Sequence, residues 1–138
     1  LFAGGIRPHL YCLPVLKTEP DRLALLEVLA AGNPRFFLGT DSAPHARHLK
    51  EHACGCAGIY SAHAGIELYA EVFEAHGMLA RLEDFAASFG ADFYRLPRNA
   101  RTIALRREPW QVPEVLTFGS DQLVPLRAGE TIAWKLAA

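Results

Sequence analysis

Asp41 and His45 lie close together in FFLGTDSAPHARH, residues 36–48, directly after an apolar run. A carboxylate and an imidazole at that spacing suit metal ligation, proton transfer or anion binding. Pro44 keeps Ala43 out of the α region, so the chain leaves the apolar run extended and can hold His45 near Asp41. A plainer account uses the same residues: the aspartate caps the next turn and the histidine makes one surface hydrogen bond. A second constellation follows in HLKEHACGC, where His48, His52, Cys54 and Cys56 form H-x3-H-x-C-x-C. These are zinc-ligand types, and they would make a small non-catalytic zinc-binding module. The C-x-C pair is tight for one tetrahedral ion, and so short a segment leaves little chain to wrap it. The competing reading is a glycine-containing loop whose small residues let backbone come close to another group.

The remaining reactive types read as structural. His9 and His63 stand alone, as hydrogen-bonded histidines do, and His76 at a helix end complements the helix dipole. Arg47, Lys50, Arg106 and Arg107 read as solvated surface charge. Cys12, between Tyr11 and Leu13, reads as buried and inert.

The elements that must position Asp41 and His45 are legible in outline. Pro8 and Pro14 make residues 8–16 extended or loop-like. Thr18 to Gly32 reads as a helix, with Thr18 as cap, Pro20 in the first turn and Gly32-Asn33-Pro34 as the stop. Leu25, Leu26, Val28 and Leu29 give it a broad apolar face. Arg35 to Thr40 reads as a short strand buried on both faces, and helix followed by buried strand is the order of a parallel α/β sheet or barrel. The carboxyl end of such a strand is where active-site groups gather, and Asp41 is there. Residues 41–60 form a loop rich in His, Cys, Gly and Ala. Ile66 to His76 and Leu79 to Phe89 are the next helices, closed by Gly77 and Gly90. From residue 99 onward, TIALRR and TIAWKL alternate as strands do, with Pro109, Pro113 and Pro125 between them. Two regions result, residues 1–98 and a mainly extended appendage over 99–138.

With 138 residues the chain has room for one domain with a core. Half-apolar composition (51% hydrophobic, 21% charged) argues against disorder. A net charge of −1 gives no basic surface for nucleic acid or anionic lipid. No apolar run reaches the length of a membrane span. Three cysteines, two of them separated by one glycine, fit a reducing, cytoplasmic setting better than a disulfide framework. The opening LFAGGIRPHLYCLPVLK, with neither Met nor helix cap, reads as the interior of a longer polypeptide.

GTDSAPHARH followed by KEHACGCAG resembles the signature around the last barrel strand of the dihydroorotases, of the single-function bacterial type in the amidohydrolase superfamily. RPHLYCLPVLK is similar to that family's loop before the seventh helix, and LVPLRAGETIAWKL to its C-terminal extension. Between Ile59 and about Ala104 the likeness is mainly one of pattern. The resemblance implies the C-terminal portion of a TIM (β/α)8 barrel: last strand, flanking helices and the extension, with the barrel incomplete in this chain. It implies the reversible, zinc-dependent hydrolysis of dihydroorotate to N-carbamoyl-aspartate in pyrimidine synthesis. Two zinc ions per complete site are implied, bridged by a carboxylated lysine. Asp41 then matches a zinc-binding aspartate that also shuttles the proton. His45 matches the residue that binds the substrate carboxylate, and Leu13 and Ala57 match backbone contacts to the pyrimidine ring. The family's H-x-H, its bridging lysine, its further zinc histidines and its substrate arginine have no counterparts here. The implied partners are the small-molecule substrate, the missing N-terminal barrel part and a second copy in a homodimer. The chain alone is expected to be inactive and marginally stable.

Overall fold

A computed structural model of the protein describes residues 6–15, 17–53 and 55–137. In chain order the α-helices are α1 (Glu19–Ala30), α2 (Arg47–Lys50), α3 (Gly65–Ala75) and α4 (Phe89–Tyr94). The strands are β1 (Leu105–Arg106), β2 (Trp110–Gln111), β3 (Leu116–Phe118), β4 (Asp121–Leu123), β5 (Thr131–Ile132) and β6 (Lys135–Leu136). The chain divides into two compact units: residues 17–39, 66–109 and 132–138 form one, and residues 1–16, 40–65 and 110–131 the other.

The first of these units is built around α3. Ala70 and Phe73 are fully buried and pack with Leu26 of α1, Met78, Leu82 and Phe85 into one apolar cluster. The rings of Tyr69 and Phe73 lie 5.0 and 5.2 Å from that of Phe85, within the range of favourable aromatic contact. Helix α1 starts as expected: Thr18 is extended, and the Asp21 carboxylate accepts from its N–H at 2.9 Å and its hydroxyl at 2.7 Å. That occupies an amide at the helix start, where donors lack partners along the helix. Its broad apolar face is only partly used. Leu26 is buried, whereas Leu25 is 53% exposed.

Helix α3 also fixes the end of the chain. Glu67, Glu71 and Glu74 follow one another at helical spacing and point toward residues 133–136. Glu71 accepts from the Ala133 N–H at 2.7 Å, Glu74 from the Trp134 indole at 3.0 Å and Glu67 from the Leu136 N–H at 3.2 Å. Thus held, β6 pairs antiparallel with β1, Leu105 opposite Leu136 and Arg106 opposite Lys135. The alternation read in TIALRR and TIAWKL is therefore realised, though over only two residues in each strand.

Two expectations are corrected here. Residues 35–40 form no strand, and Phe36 is 37% exposed rather than buried. A strand needs a ladder partner, and the described residues provide none. Instead the Leu38 N–H donates to the Phe85 carbonyl at 2.9 Å, and the Tyr69 hydroxyl donates to the Gly39 carbonyl at 3.1 Å. The expected helix Leu79–Phe89 is present as one helical run of mixed type, 3-10 at Leu79–Arg81 and π at Asp84–Ser88 before α4, but its end is misplaced. Gly90 does not stop it; α4 runs on to Tyr94 and ends at Arg95 in the left-handed region. The reason for a glycine at 90 is packing. A Cβ there would sit 3.2 Å from the Phe37 ring, which also contacts Phe93 and Tyr94.

Next to this core is an open groove of about 580 Å³ lined by Leu38, Ile66, Leu79, Leu82, Ile103 and Leu105 among others. Ile103 is 67% exposed, as are Phe93 and Leu96 to nearly the same degree.

The second unit has fewer regular elements. β3 and β4 form a hairpin through Gly119-Ser120, with Leu116 opposite Leu123 and Phe118 opposite Asp121. Gly119 has φ +63, a conformation that only glycine adopts without cost. Val112, 1% exposed, exchanges backbone bonds with Glu130 and Gly129 at 2.9 and 3.0 Å. Tyr60 bridges to Pro125, and its carbonyl accepts from the Leu126 N–H at 2.8 Å.

Phe73→Ala removes a fully buried ring from the main cluster. The expected cost is about 3–5 kcal/mol, read as a lower denaturant midpoint for the full-length polypeptide carrying this segment. An unchanged midpoint would show that this cluster does not limit stability.

Candidate functional site

The candidate residues Leu13, Asp41, His45 and Ala57 all belong to the second unit, in which Lys50 is a buried point of attachment. This lysine was expected on the surface, but it is 4% exposed. Its ammonium donates to the carbonyls of Tyr11 at 2.8 Å, Cys56 at 2.7 Å and Gly58 at 2.6 Å. An ammonium has three donors and all of them are used. The Tyr11 ring lies 5.8 Å from the nitrogen and adds a cation–π contact. Burial lowers the Lys50 pKa from its ordinary value, while the Cys56 and Cys12 side chains pull the other way. The surface expectation failed because α2 inverts the usual pattern: Lys50 and Ala46 face inward while Leu49 is 44% exposed. Carbonyl groups of the loop, rather than an apolar core, lie beneath this one-turn helix.

His45 joins the same loop. Its Nε2 lies 3.0 Å from the Ala57 carbonyl. A carbonyl only accepts, so Nε2 carries the proton and Nδ1 is left for another partner. The consecutive carbonyls of Cys56, Ala57 and Gly58 are therefore held by Lys50, His45 and Lys50 in turn. The Gly58 N–H donates to the Tyr11 carbonyl at 3.0 Å, fastening the 55–58 loop to the stretch leading to Leu13. Gly58 has φ +149, and a Cβ there would lie 2.7 Å from the Ala43 Cβ and 2.8 Å from His45 Nε2. The expectation that small residues in CGCAG admit close backbone approach is met at this glycine.

Asp41 is held by its neighbours. Its own φ is +43, left-handed and uncommon for a residue with a side chain, though aspartate tolerates it best with asparagine. On one side the Thr40 carbonyl accepts from the Ser61 hydroxyl at 3.2 Å. On the other, the Ser42 hydroxyl accepts from the N–H groups of Ser61 and Ala62, both at 3.1 Å, and the Ala43 N–H donates to the Ile59 carbonyl at 3.0 Å. The 59–62 segment thus fixes the turn at Asp41 from both sides. Asp41 itself is exposed. Among the described residues it shares no hydrogen bond with His45 and caps no helix.

Leu13 is 60% exposed and lies two residues beyond the clamped Tyr11. Cys12 is half-buried rather than buried as expected, because the 11–15 stretch runs along the surface; its thiol lies 3.9 Å from the Pro14 carbonyl. His9 and Arg47 both reach the Glu51 carboxylate, at 3.0 and 2.8 Å, and hold its pKa below the usual value. His63 stacks near Tyr60, ring centroids 5.5 Å apart. His76 lies outside this unit; its Nδ1 is 2.8 Å from the Val72 carbonyl in the last turn of α3, as its dipole role implied.

The zinc-type motif is not assembled among the described residues, which hold no group of three His, Cys, Asp or Glu able to take a metal ion. His48 turns to Asp121, its Nδ1 3.4 Å from the carboxylate. The Cys56 carbonyl serves Lys50. Cys54 lies outside the described residues. The two zinc ions implied by resemblance do not fit this chain's own donors either, since one carboxylate, Asp41, cannot supply the four or so ligands that each ion takes. Among the described residues, no helix is long and apolar enough to cross a membrane.

What the chain presents is a wall of turns and loop carbonyls, and the fold that carries it recurs in solved enzymes. The structure superposes on the dihydroorotase of Saccharomyces cerevisiae, solved with 5-fluoroorotic acid, with a TM-score of 0.86 and 33% identity, covering 95% of this chain and 38% of that one. On the dihydroorotase of Campylobacter jejuni the TM-score is 0.84 and identity 32%, covering 98% of this chain and 39% of that one. Curated relatives are nearer in sequence. The dihydroorotase of Laribacter hongkongensis is 65% identical over 137 residues, 99% of this chain and 40% of the relative. That of Pseudomonas aeruginosa is 62% identical over 136 residues. No family profile matches the chain. In sequence and structure the chain is thus similar to part of a dihydroorotase, and it spans about 40% of the length of the curated relatives it matches.

Gly58→Ala forces either the loop or His45 to move, because no space exists for the Cβ. In the full-length polypeptide this overpacking should cost about 1–3 kcal/mol, read as a lower denaturant midpoint; an unchanged midpoint would mean the loop gives way without strain. The Glu51 carboxyl should titrate below the ordinary range of a glutamate by NMR, because His9 and Arg47 bond to it. Its pairing stabilises the folded state above the unfolded-state pKa, and this contribution disappears as pH falls through the lower folded value. Both partners are partly exposed, so the effect is small. Glu51→Gln should remove it, and an acid transition identical in wild type and variant would contradict the assignment.

Proposed function

We propose that the chain is the C-terminal part of a dihydroorotase, comprising the end of an amidohydrolase (β/α)8 barrel over residues 1–98 and an extension over 99–138. The complete enzyme opens dihydroorotate reversibly to N-carbamoyl-aspartate. The observation that carries the reading is the clamped wall described above, in a chain 60–65% identical to curated dihydroorotases over nearly all its length.

The roles follow from chemistry. Asp41 is the proton carrier: as water adds to the ring carbonyl, the carboxylate takes a proton, and as the carbon–nitrogen bond breaks it returns that proton to the leaving nitrogen. Its exposure and lack of a competing helix-cap role leave it available for this. His45 binds the substrate carboxylate through Nδ1. With Nε2–H committed to Ala57, Nδ1 can donate to an anion only in the imidazolium form. Backbone at Leu13 and Ala57 contacts the ring. The zinc chemistry of the complete site requires ligands from the part of the enzyme that this chain does not span. That part also covers the exposed apolar surface at Phe93, Leu96 and Ile103.

The test is turnover of dihydroorotate by this chain alone, and after co-expression with the missing part. Silence alone with activity on joining supports the reading; activity alone, or none in either state, overturns it. In the full-length enzyme, Asp41→Asn should lower kcat by about 100-fold or more. Cys56→Ser should leave it nearly unchanged, because the hydrogen bond to Lys50 is made by the Cys56 carbonyl, which the variant keeps. Full activity in Asp41→Asn would remove Asp41 from the mechanism.

A further inference from the structure

We propose that Lys50 is a positioning residue for substrate binding. Its buried ammonium sets the backbone on both sides of Ala57 and the approach to Leu13, and thereby fixes the wall against which the pyrimidine ring lies. The proposal rests on the dihydroorotase reading, and it assigns Lys50 no contact with substrate and no part in proton transfer.

The argument begins from geometry. Ala57 is flanked by Cys56 and Gly58, and the carbonyls of both are bound by one nitrogen, at 2.7 and 2.6 Å. The third bond, at 2.8 Å, goes to Tyr11 on a different stretch of chain. One atom therefore joins the two segments assigned the ring contacts, alongside the direct bond from the Gly58 N–H to the Tyr11 carbonyl at 3.0 Å. With its carbonyl directed to His45 at 3.0 Å, Ala57 has little freedom about its flanking bonds. In the absence of the ammonium, the carbonyls of Cys56 and Gly58 would lose this donor and that of Tyr11 would keep only the Gly58 N–H, an arrangement that costs free energy and is relieved by rotation of the peptides. Such rotation would turn the Ala57 backbone and weaken the bond that orients His45.

A lysine suits the task better than an arginine would. Its three donors diverge from a single tetrahedral nitrogen and can meet three converging carbonyls, whereas a guanidinium spreads its donors in a plane. Full use of all three donors also means that the ammonium has none left for a substrate anion. Its effect on catalysis must therefore pass through the backbone it holds.

The experiment uses the full-length enzyme, with wild-type turnover of dihydroorotate measured first; absence of that activity defeats the dihydroorotase reading and is distinct from any effect of Lys50. In Lys50→Met, KM for dihydroorotate should rise at least tenfold while kcat stays within about threefold. Affinity for 5-fluoroorotate, followed by its fluorine NMR signal, should fall in parallel. Lys50→Gln, which keeps two donors, should lie between wild type and Lys50→Met. Equal losses in kcat and kcat/KM, or unchanged KM, would overturn the proposal. A measurement on the wild type covers the case in which the variants do not fold. With lysine labelled by nitrogen-15, adding 5-fluoroorotate should shift the Lys50 ammonium signal and slow its hydrogen exchange at least threefold. An unresponsive Lys50 signal in saturated enzyme would overturn the proposal as well.

Discussion

A single buried ammonium converging three carbonyls from two stretches of chain is the constraint on which the site unit depends. A charge removed from water is costly unless it is fully hydrogen-bonded, and Lys50 meets that condition with backbone alone. The carbonyls gain equally, because loop backbone that turns inward has no ladder or helix to satisfy it. Each side therefore solves the other's problem. This accounts for a well-defined loop at residues 55–58 in a unit with little regular secondary structure, where a larger apolar core would otherwise be needed.

The turn at Asp41 follows a similar economy of parts. Hydroxyls and amides of Ser42, Ser61 and Ala62 hold the chain on either side of a residue with positive φ. Backbone held in an uncommon conformation by several independent bonds is a way to aim one side chain without packing it. Asp41 stays exposed while its Cα–Cβ direction is fixed. His45, by contrast, is aimed through its own ring nitrogen. One unit thus holds two candidate side chains by different means.

The sequence revealed these features unevenly. Asp41 and His45 were visible because a carboxylate and an imidazole directly after an apolar run are unusual and chemically suggestive. Caps were visible too: Thr18 and Gly77 act locally, so local residues suffice to find them. Residues 35–40 misled because apolar, β-branched-poor runs of this length specify only burial and extension. Whether such a run becomes a strand depends on a neighbour whose identity is not encoded within it. Gly90 misled for a related reason, since glycine serves both as a helix stop and as space for a ring, and only the position of Phe37 distinguishes the two. Lys50 was illegible. Its partners are carbonyls, which every residue carries, so no residue type marks the place where a lysine turns inward.

The carboxylates of Glu67 and Glu71 hold the end of the chain by its amides rather than by its side chains. Amides are the same in every residue but proline. Drift in residue identity at Ala133 and Leu136 therefore leaves those two bonds intact, and only Trp134, whose indole is bound by Glu74, is tied to its type. Insertion or deletion of one residue here would instead shift every amide out of register with the helix at once. Across descendants of this gene, the segment should tolerate spelling changes and resist changes of length.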